Sequence, residues 1–376
     1  MDDTYRFPVT ASMPADRAGL ARVLIVTPVG LEGRGGIDRL NLYLHGYLLQ
    51  RGDASHLTFI GSRGELPGPA WGMTFVSAMF QFVFHCLSGK HDIVHIHVST
   101  SGSALRKVAF ALLAWLMRMP YVIQFHGMMC AEYEQARPLW YRALALSARG
   151  AQQVIALGEA YRPTFERMGV NPTRICVIYN GIPDIGDNAV IPRPEQESVR
   201  ILFSGEVGER KGALLLIEAL AQLANSNTRW TCTIAGNGDL TVPKQAVLDA
   251  GIADRVNFTG WIGIDEIHNL MRECDIVVLP SRAEALPLAL IEGASAGAAL
   301  ISCDIGAVRD VVVDGVNGLI VKRNSDDIAV ALERLLSDPG LRQGMQLASR
   351  QIYRERFQVS HFASSILGTY AAILRH

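Results

Sequence analysis

The chain has 376 residues, of which 49% are hydrophobic and 19% are charged, and its formal net charge at pH 7 is −1. This composition is typical of a globular protein with large buried cores and argues against an intrinsically disordered chain. The length favours two domains. The near-zero net charge gives no support to broad electrostatic capture of nucleic acid.

The N-terminal segment and the cysteines indicate the compartment. The first 21 residues are polar and mixed, without an apolar signal core, so we expect no export. The six cysteines form no C-x-x-C pair, and most of them lie in apolar runs. Buried, reduced thiols are the expected state of such cysteines. The sequence therefore predicts a cytoplasmic protein.

Short apolar runs recur through the first half of the chain, separated by segments long enough for crossover helices. They are apolar on both alternate faces, as are strands that helices cover on both sides. This alternation predicts a doubly wound parallel sheet of class α/β. The predicted strands are "RVLIVTP" (22–28), "HLTFIG" (56–61), "DIVHIHV" (92–98), "YVIQFHG" (121–127), "QVIAL" (153–157) and "ICVIYNG" (175–181).

A segment rich in Pro, Asp, Asn and Gly then interrupts the pattern, and a second series of runs follows. We predict a first Rossmann-like domain at 1–182, a linker at 183–199 and a second Rossmann-like domain at 200–355. A helix at 356–376 is expected to return to the first domain. Ligands of such sheets bind beyond the carboxyl ends of the strands, so the default site is a cleft between the domains.

A glycine-rich loop follows the first predicted strand. In "TPVGLEGRGGIDRL" the residues Gly33, Gly35 and Gly36 open a predicted helix, and glycines there allow close backbone approach to a phosphate or a sugar. The spacing is not G-x-G-x-x-G, and no acidic residue stands on the next strand, which disfavours a dinucleotide site. A flexible loop without ligand is the alternative interpretation.

Two apolar segments raise the question of membrane contact. Residues 66–89 contain no Asp, Glu, Lys or Arg, a length that could span a bilayer, but prolines and polar residues interrupt them. The segment 105–119 has an apolar middle, with Arg106, Lys107 and Arg118 at its ends. Such helices can lie at an anionic membrane surface. The alternative is that both are buried crossover helices.

Histidines stand at the ends of two predicted strands. His126 ends "YVIQFH" beside Gly127, where catalytic and binding side chains collect, although a lone histidine is more often structural. His95 and His97 alternate along one strand and so share one face. Without a third ligand of suitable spacing they do not indicate a zinc site, and we predict no metal.

The stretch "FSGEVGERKGALLLIEAL" opens the second domain. A strand ends at Gly205, and the following turn carries Arg210 and Lys211 into a helix. A lysine at this edge of a sheet is suited to neutralise a diphosphate. The alternative is a solvated charged turn.

Two glutamates eight positions apart flank the start of a later helix, in "VVLPSRAEALPLALIEGASAGAALISC". Pro287 suits the first turn of this helix and Gly297 its C-terminal cap. Glu284 then lies in the loop before the helix and Glu292 about one turn inside it. The first N–H groups, near Leu288 and Ala289, form a ready anion site, although acids also favour a helix N-terminus without any ligand.

The sequence "EALPLALIE" resembles the E-x7-E motif of retaining GT-B glycosyltransferases, in particular glycosyltransferase family 4. The surrounding "VVLPSRAEALPLALIEGASAGAALISCDIGAVRDVVVDGVNGLIV" follows that family almost throughout, and the resemblance extends more weakly over the whole chain. It implies the GT-B fold, two Rossmann-like domains facing a cleft. It also implies the transfer of a hexose from a UDP- or GDP-sugar without a metal or another cofactor.

The resemblance also implies roles for single residues. The first glutamate of the motif, Glu284, contacts the transferred sugar, and the second, Glu292, binds the ribose. Lys211 holds the donor diphosphate, and His126 contacts a sugar hydroxyl. The family usually has an arginine where this chain has Glu206, and Arg210 is the candidate replacement. The remaining expected donor contacts are Gly35 and Gly36 near the phosphates, Leu288 and Ala289 at the helix start, and Asn237, Gly238, Trp261 and Ile262 near the nucleoside.

Many bacterial members of the family extend polyprenyl-diphosphate-linked glycans. The resemblance therefore implies a lipid-linked glycan acceptor, a role in surface polysaccharide or exopolysaccharide synthesis, and a peripheral position on the inner face of the membrane. Two other functions remain open, a nucleotide-sugar epimerase of the same fold and a non-catalytic protein that binds nucleotide sugars. An epimerase would need further acids for proton transfer. A dehydrogenase is disfavoured, because the dinucleotide fingerprint is missing.

Overall fold

The computed structural model describes residues 20–33, 35–64, 71–99, 101–127, 136, 138–186 and 198–375. Arg34, Cys130, the start of the charge-free segment (66–70) and most of the predicted linker (187–197) lie outside the described residues. The chain forms two compact units, the first from residues 1–183 and 358–376 and the second from residues 184–357.

The first unit contains a parallel sheet of six strands in the order β2-β1-β3-β4-β5-β6. Its central strands are fully buried, which explains why their sequences are apolar on both faces. The predicted runs are all strands. They are β1 (Val23–Thr27), β2 (Leu57–Gly61), β3 (Ile93–Val98), β4 (Tyr121–Phe125), β5 (Gln153–Ala156) and β6 (Ile175–Val177).

Helices connect these strands, as parallel neighbours require. The final helix of the chain belongs to this unit, where Phe362, Ile366 and Tyr370 join its hydrophobic core. The Tyr370 hydroxyl is 2.6 Å from Nδ1 of His95 on β3. The helices of the unit are α1 (Gly36–Gln50), α2 (Trp71–Leu87), α3 (Ser101–Leu116), α4 (Leu139–Gly150), α5 (Arg162–Arg167) and, at the end of the chain, α13 (Val359–Leu374), with short 3-10 turns at Ala54–His56, Glu159–Tyr161 and Pro172–Arg174.

The second unit repeats this plan, with a parallel sheet of six strands in the order β12-β11-β10-β7-β8-β9. Its strands are β7 (Val199–Ser204), β8 (Trp230–Ala235), β9 (Val256–Gly260), β10 (Ile276–Leu279), β11 (Ala299–Cys303) and β12 (Gly318–Val321). Its helices are α6 (Ala213–Gln222), α7 (Thr241–Asp249), α8 (Ile264–Glu273), α9 (Leu288–Ala296), α10 (Val308–Val311), α11 (Ser325–Ser337) and α12 (Pro339–Arg356). Both units therefore have the predicted α/β class.

The helix α9 begins and ends where the sequence predicts. Pro287 is its N-cap, with φ −72°, and Gly297 closes it in the left-handed conformation with φ +81°. Ala298 N donates to the carbonyl of Gly293 at 2.9 Å, which satisfies one of the last carbonyl groups of the helix. Glu284 consequently precedes the helix, and Glu292 lies within it.

The two apolar segments of the first unit form the helices α2 and α3. In the described part of the chain, no helix combines the length and the apolar character needed to cross a membrane. The prediction that Lys107 lies at a membrane surface is wrong. Its side chain is buried, and Nζ donates to the carbonyl of Thr27 at 2.9 Å, because its position on α3 faces the sheet.

Candidate active site

The charged residues of the second unit gather at the carboxyl edge of its sheet. The strands β7 and β10 are parallel neighbours, so the loops that follow them, 205–212 and 280–287, leave the same edge. Arg282 N donates to the carbonyl of Arg210 at 2.8 Å and joins the two loops. Residues 72 positions apart in the sequence therefore become neighbours.

Lys211 and Glu284 form the closest ion pair of this edge. Nζ of Lys211 is 2.5 Å from Oε1 of Glu284, and the two side chains are only 14% and 10% exposed. Charge-assisted hydrogen bonds at such burial are stronger than those at an open surface. Nη1 of Arg210 lies 3.9 Å from the same carboxylate oxygen. Three of the predicted site residues are thus brought together.

Glu206, which replaces the expected arginine, pairs with Arg210. Nη2 of Arg210 is 3.0 Å from Oε2 of Glu206, and Nη1 donates to the carbonyl of Ala283 at 3.5 Å. The guanidinium of Arg210 therefore lies between the carboxylates of Glu206 and Glu284. Both members of the outer pair are about half exposed or more, at 48% and 62%, so the pair contributes little to stability.

We expect Glu206→Gln to tighten the binding of a nucleoside diphosphate up to about fivefold, because an exposed ion pair is worth at most about 1 kcal/mol. Without this carboxylate, Arg210 should attract the phosphate groups of the ligand more strongly. Glu209→Gln is the matched control, since Glu209 forms an exposed pair with Arg282 at 3.3 Å between the same two loops. Calorimetric titration with UDP and GDP measures both variants. Equal affinities in Glu206→Gln and the unmodified protein would place residue 206 outside the site.

Glycines allow the close packing of these loops. Gly212 precedes α6 with φ +79°, and a Cβ at this position would lie 2.3 Å from the carbonyl oxygen of Pro280. Gly236 follows β8, and a Cβ there would lie 1.8 Å from the carbonyl oxygen of Gly205. Any larger residue would separate backbone segments that now touch. The positions of Arg210 and Lys211 therefore depend on this packing.

The helix α9 contributes its N-terminus and Glu292. No side chain caps its first turn, and the N–H groups of Leu288 and Ala289 lack intrahelical acceptors by helix geometry. Glu292 is fully buried, with 0% of its surface exposed. The first turn of α9 follows directly on the loop that carries Glu284.

The other predicted nucleotide contacts lie farther along the sheet. Val207 N donates to the carbonyl of Asn237 at 2.6 Å, and Gly238 bridges to Val207, so this turn adjoins the loop after β7. Trp261 is half exposed and, with Ile262, follows the edge strand β9. The structure thus joins Asn237 and Gly238 to the loop of Lys211, whereas Trp261 and Ile262 stand at the end of a strand two places from β7.

In the first unit, the partly exposed His126 lies next to two buried histidines, His95 and His97. Nε2 of His126 is 2.8 Å from Nδ1 of His97, and the ring of His97 stacks on that of His95 with centroids 4.4 Å apart. Burial lowers the pKa of His126 to about 3. His126 is consequently neutral at physiological pH and can donate or accept hydrogen bonds without adding charge.

The contact between His97 and His126 could not be predicted from the sequence. Only the alternation of His95 and His97 in "HIHV" signalled a shared face, and it did not show that His97 reaches the end of β4. In the described part of the chain, no group of three His, Cys, Asp or Glu side chains could hold a metal ion. Gly35 and Gly36, the predicted phosphate contacts of this unit, are the N-cap and first residue of α1.

Comparisons with known proteins agree with this architecture. The family model described as "Glycosyl transferases group 1" matches residues 187–352, and that described as "Glycosyl transferase 4-like domain" matches residues 12–181. An uncharacterized glycosyltransferase of Methanocaldococcus jannaschii is 25% identical over 299 residues, which are 75% of each chain. A D-inositol 3-phosphate glycosyltransferase of Xylanimonas cellulosilytica is 27% identical over 341 residues, 82% of this chain and 78% of that one.

Among solved structures, HepE of Anabaena in complex with UDP-glucose superposes with a TM-score of 0.73. It is 20% identical, and the match covers 94% of this chain and 100% of HepE. At this identity the likeness shows the fold. With the two family models, which together match nearly the whole sequence, it identifies the chain as a member of the group 1 glycosyltransferases with the GT-B fold.

Proposed function

We propose that this glycosyltransferase belongs to family 4 and transfers a hexose from a UDP- or GDP-sugar to a hydroxyl group with retention of the anomeric configuration. The observation that carries this proposal is the Lys211–Glu284 pair in the loops after β7 and β10, directly before the N-terminus of α9. An ammonium group and open helix N–H groups suit a diphosphate, and a carboxylate suits sugar hydroxyls.

Catalysis in this proposal comes from positioning and from charge stabilisation. Lys211 and the N–H groups of Leu288 and Ala289 stabilise the diphosphate as it leaves. Glu284 and the neutral His126 align the sugar. The acceptor hydroxyl attacks the anomeric carbon on the face from which the diphosphate leaves, and the donor phosphate helps to remove the proton of that hydroxyl. Retention in this front-face substitution requires no covalent nucleophile.

Further residues would hold the nucleotide. Arg210 adds a second positive charge near the diphosphate, and Glu292 binds the ribose. Because Glu292 is fully buried, this role requires that a covering group moves aside when the donor binds. The remaining proposed contacts are Gly35, Gly36, Asn237, Gly238, Trp261 and Ile262.

In this proposal Lys211 and Arg210 neutralise the charge of the leaving diphosphate. The reaction therefore needs no metal ion and no other cofactor. Dialysis against EDTA is expected to leave turnover unchanged. Loss of activity that returns with Mg²⁺ or Mn²⁺ would contradict this part of the proposal.

A panel of UDP- and GDP-sugars tests the donor class, with UDP-glucose first because HepE is described in complex with it. A donor at a hundred times its Kd should stabilise the protein by about 2.7 kcal/mol. Slow release of free sugar would support a transferase. Conversion of one sugar nucleotide into its epimer would support the epimerase instead, and binding without either reaction would support a non-catalytic protein.

For the acceptor we propose a lipid-linked glycan of bacterial surface or exopolysaccharide synthesis, reached from the cytoplasmic face of the membrane. The support comes from the outer side of α2. Its large apolar residues at spacings of three and four lie on one side of the helix, and all are more than half exposed. We call them the apolar face of α2: Met73, Val76, Phe80, Phe84 and Leu87.

The neighbouring helices extend this surface. The helix α3 packs against both α2 and α4, and it exposes Leu105, Leu112, Trp115 and Leu116. The helices α2, α3 and α4 contain no Asp or Glu, whereas Arg142 and Arg149 of α4 are exposed. Large apolar side chains exposed on neighbouring helices often mark a surface that binds a protein or a membrane. An apolar and basic surface is complementary to anionic lipid headgroups.

We expect weak, reversible sedimentation with vesicles that contain anionic lipid, and less sedimentation at high salt, because surface charges are screened. The double variant Phe80→Ser/Phe84→Ser should lose most of this association. Val242→Ser/Leu248→Ser is the matched control, since these residues are exposed on α7 of the second unit. Failure to sediment with any anionic vesicle, together with efficient transfer to a small soluble sugar, would defeat the membrane proposal.

A further inference from the structure

An acidic and a basic side chain are buried beside the carboxyl end of β1 and have no role in the chemistry proposed above. Asp38, in the first turn of α1, and Lys107, in α3, each expose only 1% of their surface. Burying an ionisable group is unfavourable unless partners satisfy it. Their surroundings therefore show what the fold gains from them.

The carboxylate of Asp38 holds the loop that enters α1. Its Oδ1 accepts hydrogen bonds from the Thr27 hydroxyl at 2.7 Å and from the N–H groups of Val29 and Gly30, each at 3.2 Å. A Cβ at Gly33 would lie 2.4 Å from the other carboxylate oxygen. The loop between β1 and α1 thus wraps around one buried carboxylate.

Lys107 reaches the same point from α3. Its Nζ donates to the carbonyl of Thr27 at 2.9 Å and to the hydroxyl of Ser62 at 2.5 Å. Burial lowers the pKa of Lys107 well below its usual value, and Asp38 acts in the opposite direction. The ends of β1 and β2 are therefore tied to one amine.

Thr27, the last residue of β1, connects the two ionisable groups. Its hydroxyl binds Asp38 and its carbonyl binds Lys107, and Asn41 of α1 donates to the same hydroxyl at 3.2 Å. The side chain of Asp38 is turned back to the loop, and no side chain caps α1 at Gly35. The N-terminus of α1 therefore has no side-chain cap, whereas hydrogen bonds to Asp38 hold the loop that leads to it.

We propose that Asp38 and Lys107 are a pair of positioning residues that act through Thr27. Together they fix the loop from Pro28 to Gly33, which leads to α1. The effect of this loop on catalysis rests on the proposed function, in which Gly35 and Gly36 lie at the donor phosphates. Its structural part, the fixation of the loop, stands independently of any substrate.

A double-mutant cycle with Asp38→Asn and Lys107→Met tests the coupling. Each single variant should raise the donor KM about tenfold, the effect of losing one hydrogen bond to a charged group, with a smaller change in kcat. The variant that carries both substitutions should lose less than the product of the single losses, since neither group is then left buried without the other. Lys90→Met, an exposed lysine of the same unit, is the control and should match the unmodified protein.

Amide hydrogen exchange gives a readout that needs no substrate. Exchange at Val29 and Gly30 should accelerate in Asp38→Asn, because their N–H groups donate to the carboxylate and the neutral amide oxygen that replaces it is a weaker acceptor. If the charge variants fail to fold, Thr27→Val keeps the shape of the side chain and removes the bridging hydroxyl, and the same acceleration is expected there.

Unchanged exchange at Val29 and Gly30 in the folded variants, or strictly multiplicative losses in the cycle, would overturn the inference. The failure of the proposed function looks different. In that case no nucleotide sugar would be turned over by any form of the protein, while exchange in the loop would still respond to Asp38→Asn.

Discussion

Replacing Lys211 by alanine should lower kcat/KM for the donor about a hundredfold or more. The reason is that removing a preorganised group from a charge that develops in the transition state costs about 3–4 kcal/mol. Lys211 is 2.5 Å from Glu284 and only 14% exposed, so its charge acts in surroundings where water screens it little. Steady-state kinetics with the preferred nucleotide sugar measures this loss.

Two further variants show whether the loss is specific to the charge of Lys211. Lys244→Ala removes an exposed lysine of the same unit and should leave kcat/KM unchanged. Lys211→Arg keeps the charge and should recover part of the activity. Thermal unfolding of all three variants checks that the fold is intact. Near-normal turnover in a folded Lys211→Ala protein would remove the main support for the diphosphate assignment.

The two glutamates of the motif should differ in which step they affect. Glu284→Gln keeps the size of the side chain but removes the charge beside Lys211, and we expect kcat to fall about a hundredfold, the effect of a misplaced reacting group. Its affinity for the nucleoside diphosphate should not fall, because the change removes a negative charge beside Lys211 and Arg210. Glu292→Gln should weaken nucleotide affinity more than kcat, because its proposed partner is the ribose.

Titrations of both variants with UDP and GDP, combined with single-turnover rates, separate binding from chemistry. Gln is preferred to Ala at position 292, because this side chain is fully buried and a truncation would leave a cavity. An equal loss of nucleotide affinity in the two variants would refute the division between sugar and ribose.

Much of the fold could be predicted from the sequence, because the signals are local. Strands covered on both faces are apolar throughout, and the run "IVVL" of β10 is fully buried. Pro287 and Gly297 set the limits of α9 by their own backbone preferences. Each of these features depends on a few consecutive residues.

The partners within the candidate site could not be predicted, because they are distant in the sequence. Lys211 contacts Glu284 because β7 and β10 are neighbours in the sheet. The sequence showed Glu206 as a departure from the family, whereas its pairing with Arg210 depends on the shape of one loop. The error on Lys107 has the same origin, because composition does not tell which side of an apolar helix faces the sheet.

The exposure of α2 is another property that composition left open. The segment is apolar around most of its circumference, and its sequence fitted a buried crossover helix as well as a surface helix. The structure buries Ala78, Phe82 and Cys86 on its inner side and leaves the apolar face of α2 exposed. The exposure of this side depends on whether another element covers the helix, which cannot be predicted from a local sequence pattern.

The most direct test of the central claim is proton NMR of the complete reaction, with an α-linked nucleotide sugar and a polyprenyl-diphosphate-linked glycan acceptor. A retaining transferase should show the anomeric signal of the donor decaying as an α-linked product forms, with one nucleoside diphosphate released for each sugar transferred. The Lys211→Ala protein should show neither change on the same time scale. A β-linked product, or a new sugar nucleotide formed without release of nucleoside diphosphate, would contradict a retaining transfer.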